Sequence, residues 1–358
     1  MASRSKGCAA LVVVTVCAVA VAAAPASAAR VSVFARGLDN PRGIEFKANG
    51  TLYVAEGGRG GTHSTAGRCR QVPPAVGPYT GGRTARISRI GRSGKRHTVV
   101  RRLPSSQTGP ALGRLVSGVA DVEFLNRRVY ALLAGAGCSH GVRGFPNSLI
   151  RVRRNGTWRL VANLSRFLKR HPVANPPQGD FEPDGTWYSM VKYRGAFYAL
   201  EPNHGELDRI TRRGRVSRVL DVSLLFGHVV PTALAVDAKR HRFYIGTLTT
   251  FPLVPGAAQV LVVTPHGRVT RIISGFTAIV GLAVRRHQLW VLETSSAAGF
   301  PQPGTGKVIR LTRRGRRTVV SGLTFPTAMT FGPKGGLYVT NKGFGFPPGA
   351  GQILRVLR

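Results

Sequence analysis

Leu52-Tyr53-Val54-Ala55-Glu56, Val129-Tyr130-Ala131-Leu132-Leu133, Phe197-Tyr198-Ala199-Leu200-Glu201, Phe243-Tyr244-Ile245-Gly246-Thr247, Leu289-Trp290-Val291-Leu292-Glu293 and Leu337-Tyr338-Val339-Thr340-Asn341 are six versions of one phrase. An aromatic holds the second place in all six. Short runs rich in aromatic and β-branched residues, bounded by Gly and Pro, read as strands. Each is preceded by an apolar run with a small slot, filled in turn by Gly43, Asp121, Ser189, Ala233, Gly281 and Ala328. Each is followed by a basic strand such as Arg86-Ile87-Ser88-Arg89-Ile90 or Gln352-Ile353-Leu354-Arg355-Val356, a turn with Gly, and another valine-rich strand.

Four short strands per repeat, repeated six times, predict an all-β fold, a six-bladed β-propeller, in which stacked sheets bury faces that no single sheet could bury alone. A helical solenoid is excluded by the lack of a 3.6-residue period. The sixth repeat supplies three strands only, while Val31-Ser32-Val33-Phe34-Ala35 reads as a fourth. The N-terminal strand is therefore expected to close the ring in the last blade and remove two sheet edges.

Around this repeat the composition is lopsided. The 358 residues carry 52 Lys and Arg against 14 Asp and Glu, a formal charge of +38, with 43% apolar residues, 45 Gly and 23 Pro. So many aliphatics exclude a disordered chain, and four Cys exclude a disulfide-rich miniprotein. Arg4 and Lys6, the apolar run Ala9 to Ala24 and Ala26-Ser27-Ala28 have the form of a secretory signal peptide, predicting cleavage after Ala28, a propeller domain over 29–358 and a secreted, extracellular protein. Val16 stands where a lipoprotein would need a small residue before Cys17. The signal holds two of the basic residues and none of the acids, so the mature charge is +36. Export makes a Cys69–Cys138 disulfide the expectation, with two free thiols as the alternative.

Several phrases resemble the ScyD/ScyE family of secreted actinobacterial and cyanobacterial β-propeller proteins: Gly37-Leu38-Asp39-Asn40-Pro41-Arg42-Gly43, Leu52 to Glu56 followed by Gly57-Gly58-Arg59-Gly60-Gly61, and Gly246-Thr247-Leu248-Thr249-Thr250-Phe251-Pro252 with Pro255-Gly256-Ala257-Ala258. The resemblance spans nearly all of Val31 to Arg358. More distantly the repeats are similar to NHL and gluconolactonase-like six-bladed propellers. The family implies fold and export and little chemistry. Turns that commonly carry Pro-Asp-Gly in that family are basic here, as at Arg213-Gly214, Arg314-Gly315 and Lys334-Gly335.

Two surfaces stand out. The ends of the second strands, Glu56, Leu133, Glu201, Thr247, Glu293 and Asn341, should ring the channel mouth. Glu56, Glu201 and Glu293 there, with Asp121 of the second inner strand and Asn341, form a candidate metal set for a hard cation such as Ca2+ in the central channel, which the likeness to gluconolactonases also implies. The alternative is that each Glu accepts hydrogen bonds from a neighbouring blade or pairs with Arg such as Arg42 or Arg59. Long loops on that face, Gly57 to Gly82, Ala134 to Asn147, Ser165 to Gly185, Thr294 to Thr305 and Lys342 to Gly349, suit a small ligand. Their Trp187, Tyr188, Phe251, Phe300, Phe344 and Phe346 are expected mainly to pack loop cores, and His63, His140, His204 and His228 to be solvated.

On the opposite face the turns between third and fourth strands carry Arg92, Lys95 and Arg96; Arg153, Arg154 and Arg159; Arg212, Arg213 and Arg215; Arg268 and Arg271; and Arg313, Arg314, Arg316 and Arg317. Arg153, Arg154, Arg212, Arg213, Arg313, Arg314 and Arg316 are the candidates for binding a polyanion, outside the cell an anionic cell-envelope polymer, with no nucleic acid expected in vivo. A monomer is expected. No Gly-x-Ser-x-Gly, His-Glu-x-x-His or phosphate-cradling loop occurs, so no catalytic residue is assigned. The leading reading is a noncatalytic binding or scaffold protein, and the second a metal-dependent gluconolactonase-like hydrolase acting at the channel mouth.

Overall fold

A small sheet with both faces apolar cannot bury them by itself, and the chain resolves this by packing six such sheets face to face around an axis. The computed structural model describes residues 29–357; the expected signal peptide, 1–28, lies outside them. Blade one runs through Pro41–Phe46, Leu52–Glu56, Thr80–Ile90 and Arg96–Gln107, blade two through Val119–Leu125, Arg128–Leu133, Ser148–Val152 and Trp158–Asn163, and blade three through Ser189–Tyr193, Ala196–Glu201, Glu206–Thr211 and Val216–Asp221. Blade four comprises Pro231–Asp237, Arg242–Thr247, Ala258–Val263 and Val269–Phe276, and blade five Ile279–Arg285, Gln288–Glu293, Gly306–Thr312 and Gly315–Leu323. Blade six is Met329–Phe331, Leu337–Asn341 and Gly351–Leu357, completed by Arg30–Leu38, which pairs antiparallel with Gly351–Leu357 from Arg30↔Leu357 to Leu38↔Gly351. The expected closure is the observed one.

The core lies between the blades. The buried apolar residues fall into six clusters, each spanning one interface between neighbouring sheets. This explains the aromatic in second place: it reaches across to the next blade. Tyr53 meets Phe124 at 5.0 Å between ring centres, Tyr130 meets Phe197 at 4.6 Å, Tyr198 meets Phe243 at 4.5 Å, Trp290 meets Phe331 at 5.2 Å and Tyr338 meets Phe46 at 4.9 Å. The glycine of the outer turn has an equally local cause. A Cβ on Gly214 would lie 2.0 Å from the Val161 carbonyl oxygen of the preceding blade, and its φ of +89° already favours glycine.

Two features depart from four bare strands per blade. Blade one carries the extra short strands His63–Ser64 and Val116–Ser117. The stretch read as a loop from Ser165 begins with a helix, Leu164–Arg170, and a second short helix spans Val222–Phe226. Each starts on a side-chain cap, Asn163 accepting from the Arg166 amide at 2.8 Å and Asp221 from the Leu224 amide at 3.0 Å. Helices of seven and five residues are too short to leave a clear period in the sequence.

Candidate functional site

The small slots of the inner strands converge on the axis. A Cβ on Gly43 would lie 1.9 Å from Asp121 Oδ1, so the first slot must be empty for the second to hold an acid. Below the slots is a channel cavity of about 360 Å³ with two unlike halves. Blades one to three contribute Glu45, Asp121, Glu123 and Lys192, whereas blades four and five contribute only apolar residues, from Ala233 to Val236 and from Val280 to Val284.

Asp121 bridges two blades, Oδ1 accepting from the Val122 amide and Oδ2 from the Met190 amide, both at 2.8 Å. Burial pushes its carboxyl well above the usual range, against those two amides, and the nearby Glu123 and Glu45 push the same way. Glu123 accepts from Lys192 Nζ at 2.8 Å and from the Phe124 amide at 2.6 Å. Glu45 accepts, among the described residues, from the Thr330 hydroxyl at 3.2 Å, and burial, reinforced by the charge of Glu123, raises its carboxyl to about 8 despite Lys192. Sequence reading missed Glu45, Glu123 and Lys192. Glu45 and Glu123 stand two places after the small slots Gly43 and Asp121, facing the same way along a strand. The equivalent places in blades four and five hold Ala235 and Ala283.

Tyr188 and Arg42 stand at the loop-side end of this channel. Tyr188 crosses the axis from blade three to donate its hydroxyl to the Thr327 carbonyl of blade six at 3.4 Å. Arg42 donates to the Gly343 and Val116 carbonyls at 2.7 and 2.5 Å.

The rim carboxylates do not converge. Each caps the corner that leads into its own blade's inner strand: Glu56 accepts from the Asp39 amide at 2.7 Å, Glu201 from the Thr186 amide at 2.7 Å, Glu293 from the Thr277 amide at 2.9 Å and Asn341 from the Thr324 amide at 2.8 Å. Glu56 also accepts from Ser88 Oγ at 2.5 Å and Arg86 at 2.8 Å, Glu201 from the His204 amide at 2.5 Å, and Glu293 pairs with Lys307 at 3.1 Å. The donors belong to the same blade rather than its neighbour, and the cations are not those expected: Arg42 serves backbone carbonyls, and Arg59 pairs with Asp39 at 3.0 Å. Among the described residues no three His, Cys, Asp or Glu side chains are grouped as a metal ion would require. The oxygens of Glu56, Glu201 and Glu293 are engaged by amides and cations, so these residues do not fit a Ca2+ ion at the rim.

Cys69 and Cys138 are disulfide-bonded, with Cα atoms 6.4 Å apart, tying the long loops of blades one and two. Beside the bond, Ser139 donates its amide and hydroxyl to Asp184 Oδ2, both at 2.8 Å, and Lys169 pairs with the other oxygen at 2.5 Å. Two histidines expected to be solvated are buried. His140 lies between Ser106 Oγ at 2.9 Å, Glu182 at 3.3 Å and the Gly185 carbonyl at 3.1 Å, while His204 meets the Glu182 carbonyl at 2.8 Å. His228 pairs with Asp180 at 2.9 Å, and His63 alone of the four is exposed. Ser106, His140 and Glu182 have the residue types of a hydrolytic triad. The hydroxyl is fully buried, however, and Tyr79 holds Glu182 from behind at 2.6 Å, which makes the chain a loop-fastening network rather than a nucleophile. Of the loop aromatics, Trp187 is buried and Phe344 stacks on Phe325, as expected, whereas Phe251 and Phe300 pair with each other and stay exposed.

On the opposite face Arg153, Arg154, Arg212, Arg213, Arg313, Arg314 and Arg316 are all exposed. Arg316 differs from the rest. It turns to blade four, donating to the Ser274 and Gly275 carbonyls and lying 4.0 Å from the Phe276 ring centre. None of the fourteen acids is exposed. Each carboxylate serves an amide, a hydroxyl, an indole or a cation inside the fold, as Asp208 does for Trp187 at 3.1 Å and Asp237 for His287 at 2.8 Å.

No protein-family model and no curated protein matches the chain. Among solved structures it is similar to a candidate oxidoreductase (glucose dehydrogenase) from Thermus thermophilus, at 18% identity over 92% of this chain and all of that one, with a TM-score of 0.58. A gluconolactonase from Xanthomonas campestris matches at 11% identity over 92% of this chain and 90% of that one, TM-score 0.54, and a luciferin-regenerating enzyme at 11% over 92% and 95%, TM-score 0.56. At such identities the likeness is one of fold alone: like these structures, this chain is a six-bladed β-propeller.

Proposed function

We propose that this is an exported, ScyD/ScyE-like binding propeller, noncatalytic, that holds to anionic cell-envelope polymer through its turn-rich basic face. One observation carries the reading: every acid faces inward to a structural partner, so the cations of the turns are uncompensated at the surface. A genome rich in Arg codons accounts for Arg in place of Lys, but not for acids kept only where the fold uses them. Turns from successive blades point the same way, so attraction to a polymer is multivalent and screened by salt. The disulfide is compatible with an extracellular location. The test is retention on cells: high salt should release the protein, and replacing Arg212, Arg213, Arg313 and Arg314 by Ser should weaken retention without lowering Tm. Equal retention of parent and variant, or no binding to anionic wall material at low salt, would sink it.

A second reading, a gluconolactonase-like hydrolase, draws on the named neighbours and on the acidic half of the channel. It has to work past Tyr188 and Arg42, which occupy the loop-side mouth. A Tm rise on adding Ca2+ that vanishes in Asp121→Asn would favour it.

A further inference from the structure

The basic face is not uniform. Between blades one and two it opens into a groove of about 950 Å³. Lys47 and Arg89 of blade one and Arg127, Arg128, Arg151, Arg153 and Arg154 of blade two line it, with no carboxylate on either wall. Among the described residues none of these seven cations enters an ion pair or a side-chain hydrogen bond.

The equivalent arginines of blades five and six have structural employment. In five blades the aromatic of the second strand pairs across the sheet with an Arg of the third: Tyr53 with Arg89, Tyr130 with Arg151, Tyr198 with Arg209, Trp290 with Arg310 and Tyr338 with Arg355. In blades five and six the guanidinium lies over its ring, at 5.7 and 6.0 Å from the centre. Arg89 and Arg151 instead border the groove. Arg127 adds an independent sign. It sits in a tight turn with φ of +61°, a conformation that favours glycine, and in blade three Gly195 takes such a place with φ of +75°. In blade five the same place is held by His287, with φ of +62°, which is spent on Asp237, whereas Arg127 reaches no side-chain partner among the described residues.

We propose that this groove is a discrete binding site for a phosphate-bearing polymer segment, a claim that rests on the polyanion reading above and gives it one address. Six of the seven cations are Arg, whose planar fork donates to two oxygens of one phosphate group and remains charged at every relevant pH. A volume of about 950 Å³ exceeds what one phosphate ion fills, which suits a segment with several charges, and the half-buried Tyr53 in its lining offers an apolar contact for the linker between phosphates.

Short-chain inorganic polyphosphate is the probe, its binding followed by fluorescence anisotropy over a range of salt, with polyglutamate of matched charge as comparator. The triple variant Arg127→Ser, Arg128→Ser, Arg154→Ser should bind polyphosphate at least about 30-fold more weakly than the parent and with a shallower salt dependence. A control with the same charge loss, Arg212→Ser, Arg213→Ser, Arg313→Ser, should also weaken binding, through the general charge of the face, but only by about 3-fold, roughly a tenth of the loss in the groove variant. Arg127→Gly should raise Tm by a degree or so, on the order expected for relieving a strained turn, while weakening binding, which separates the site from folding. Equal losses in the two triple variants would overturn the groove and leave the face-wide reading standing. Polyglutamate binding as tightly as polyphosphate would overturn the phosphate assignment. No polyphosphate binding by the parent at low salt would overturn the proposal outright, while retention on whole cells still decides the face-wide reading.

Discussion

Glu45 makes the stability of this protein depend on pH in an unusual direction. Its carboxyl is raised to about 8, mainly by burial and then by the charge of Glu123, whereas in the unfolded chain it titrates near 4.5. Between those values the folded state holds a proton that the unfolded state has released, so stability falls as pH rises through the window. Below it both states are protonated and the term vanishes. Each unit of difference is worth about 1.4 kcal/mol. Glu45 faces a cavity that admits water, so the full difference is an upper bound and about 1–3 kcal/mol is the expected loss. Glu45→Gln keeps the shape and the neutral form, and should match the parent at pH 5 yet exceed it at pH 8.5 by a few degrees in Tm, at roughly 2 °C per kcal/mol for a chain of this size. Glu201, raised to about 7 by burial, gives a slope of the same sign that both proteins retain, so the difference between the two melting curves is the quantity to read. Parallel curves from pH 5 to 8.5 would refute the assignment of a neutral Glu45.

Other perturbations test the architecture. Deleting Val31 to Leu38 removes the fully buried Leu38 and the Phe34 contact with Tyr338, and reopens the Gly351–Leu357 edge; it should cost several kcal/mol of the roughly 5–15 typical of a folded domain and cause aggregation, so an unchanged, monomeric melt would contradict ring closure. Gly214→Ala should cost at least about 2 kcal/mol in urea unfolding, because both φ and the Val161 carbonyl oppose a Cβ. Asn341→Ala should cost about 1 kcal/mol by uncapping the Thr324 amide, with no change in response to Ca2+. Cys138→Ser should lower stability by up to about 4 kcal/mol, since the bond closes residues 69 apart in sequence.

What sequence made legible is what the fold repeats. Six aromatics in one register announced six blades because each must fill the same interface with its neighbour, and a period that physical necessity imposes survives in one chain without any alignment. The carboxylates Glu56, Glu201 and Glu293 were legible for the same reason and were therefore misleading. A corner cap needs one acceptor at a fixed place, and Glu or Asn supplies it equally, so their recurrence reflects blade geometry rather than a shared ligand. The partners His140, Ser106 and Glu182 come from the strands and loops of three different blades, and no spacing in the chain could have joined them.

A ligand site on a pseudo-symmetric ring has to break the symmetry, because six equal positions offer no preferred place for an unsymmetrical molecule. Two places here do so. The channel is acidic on blades one to three and apolar on blades four and five, and the turn-rich face gathers seven cations without aromatic or carboxylate partners at one of its six interfaces. The channel acids are largely spent on neighbouring amides and Lys192, and Tyr188 and Arg42 reach across its loop-side end. The groove cations have no such internal partners, and Arg127 stays in a turn that glycine would fill at lower cost. Departure from the repeat combined with groups the fold does not use is the ground on which we propose a binding site at the interface of blades one and two rather than on the axis.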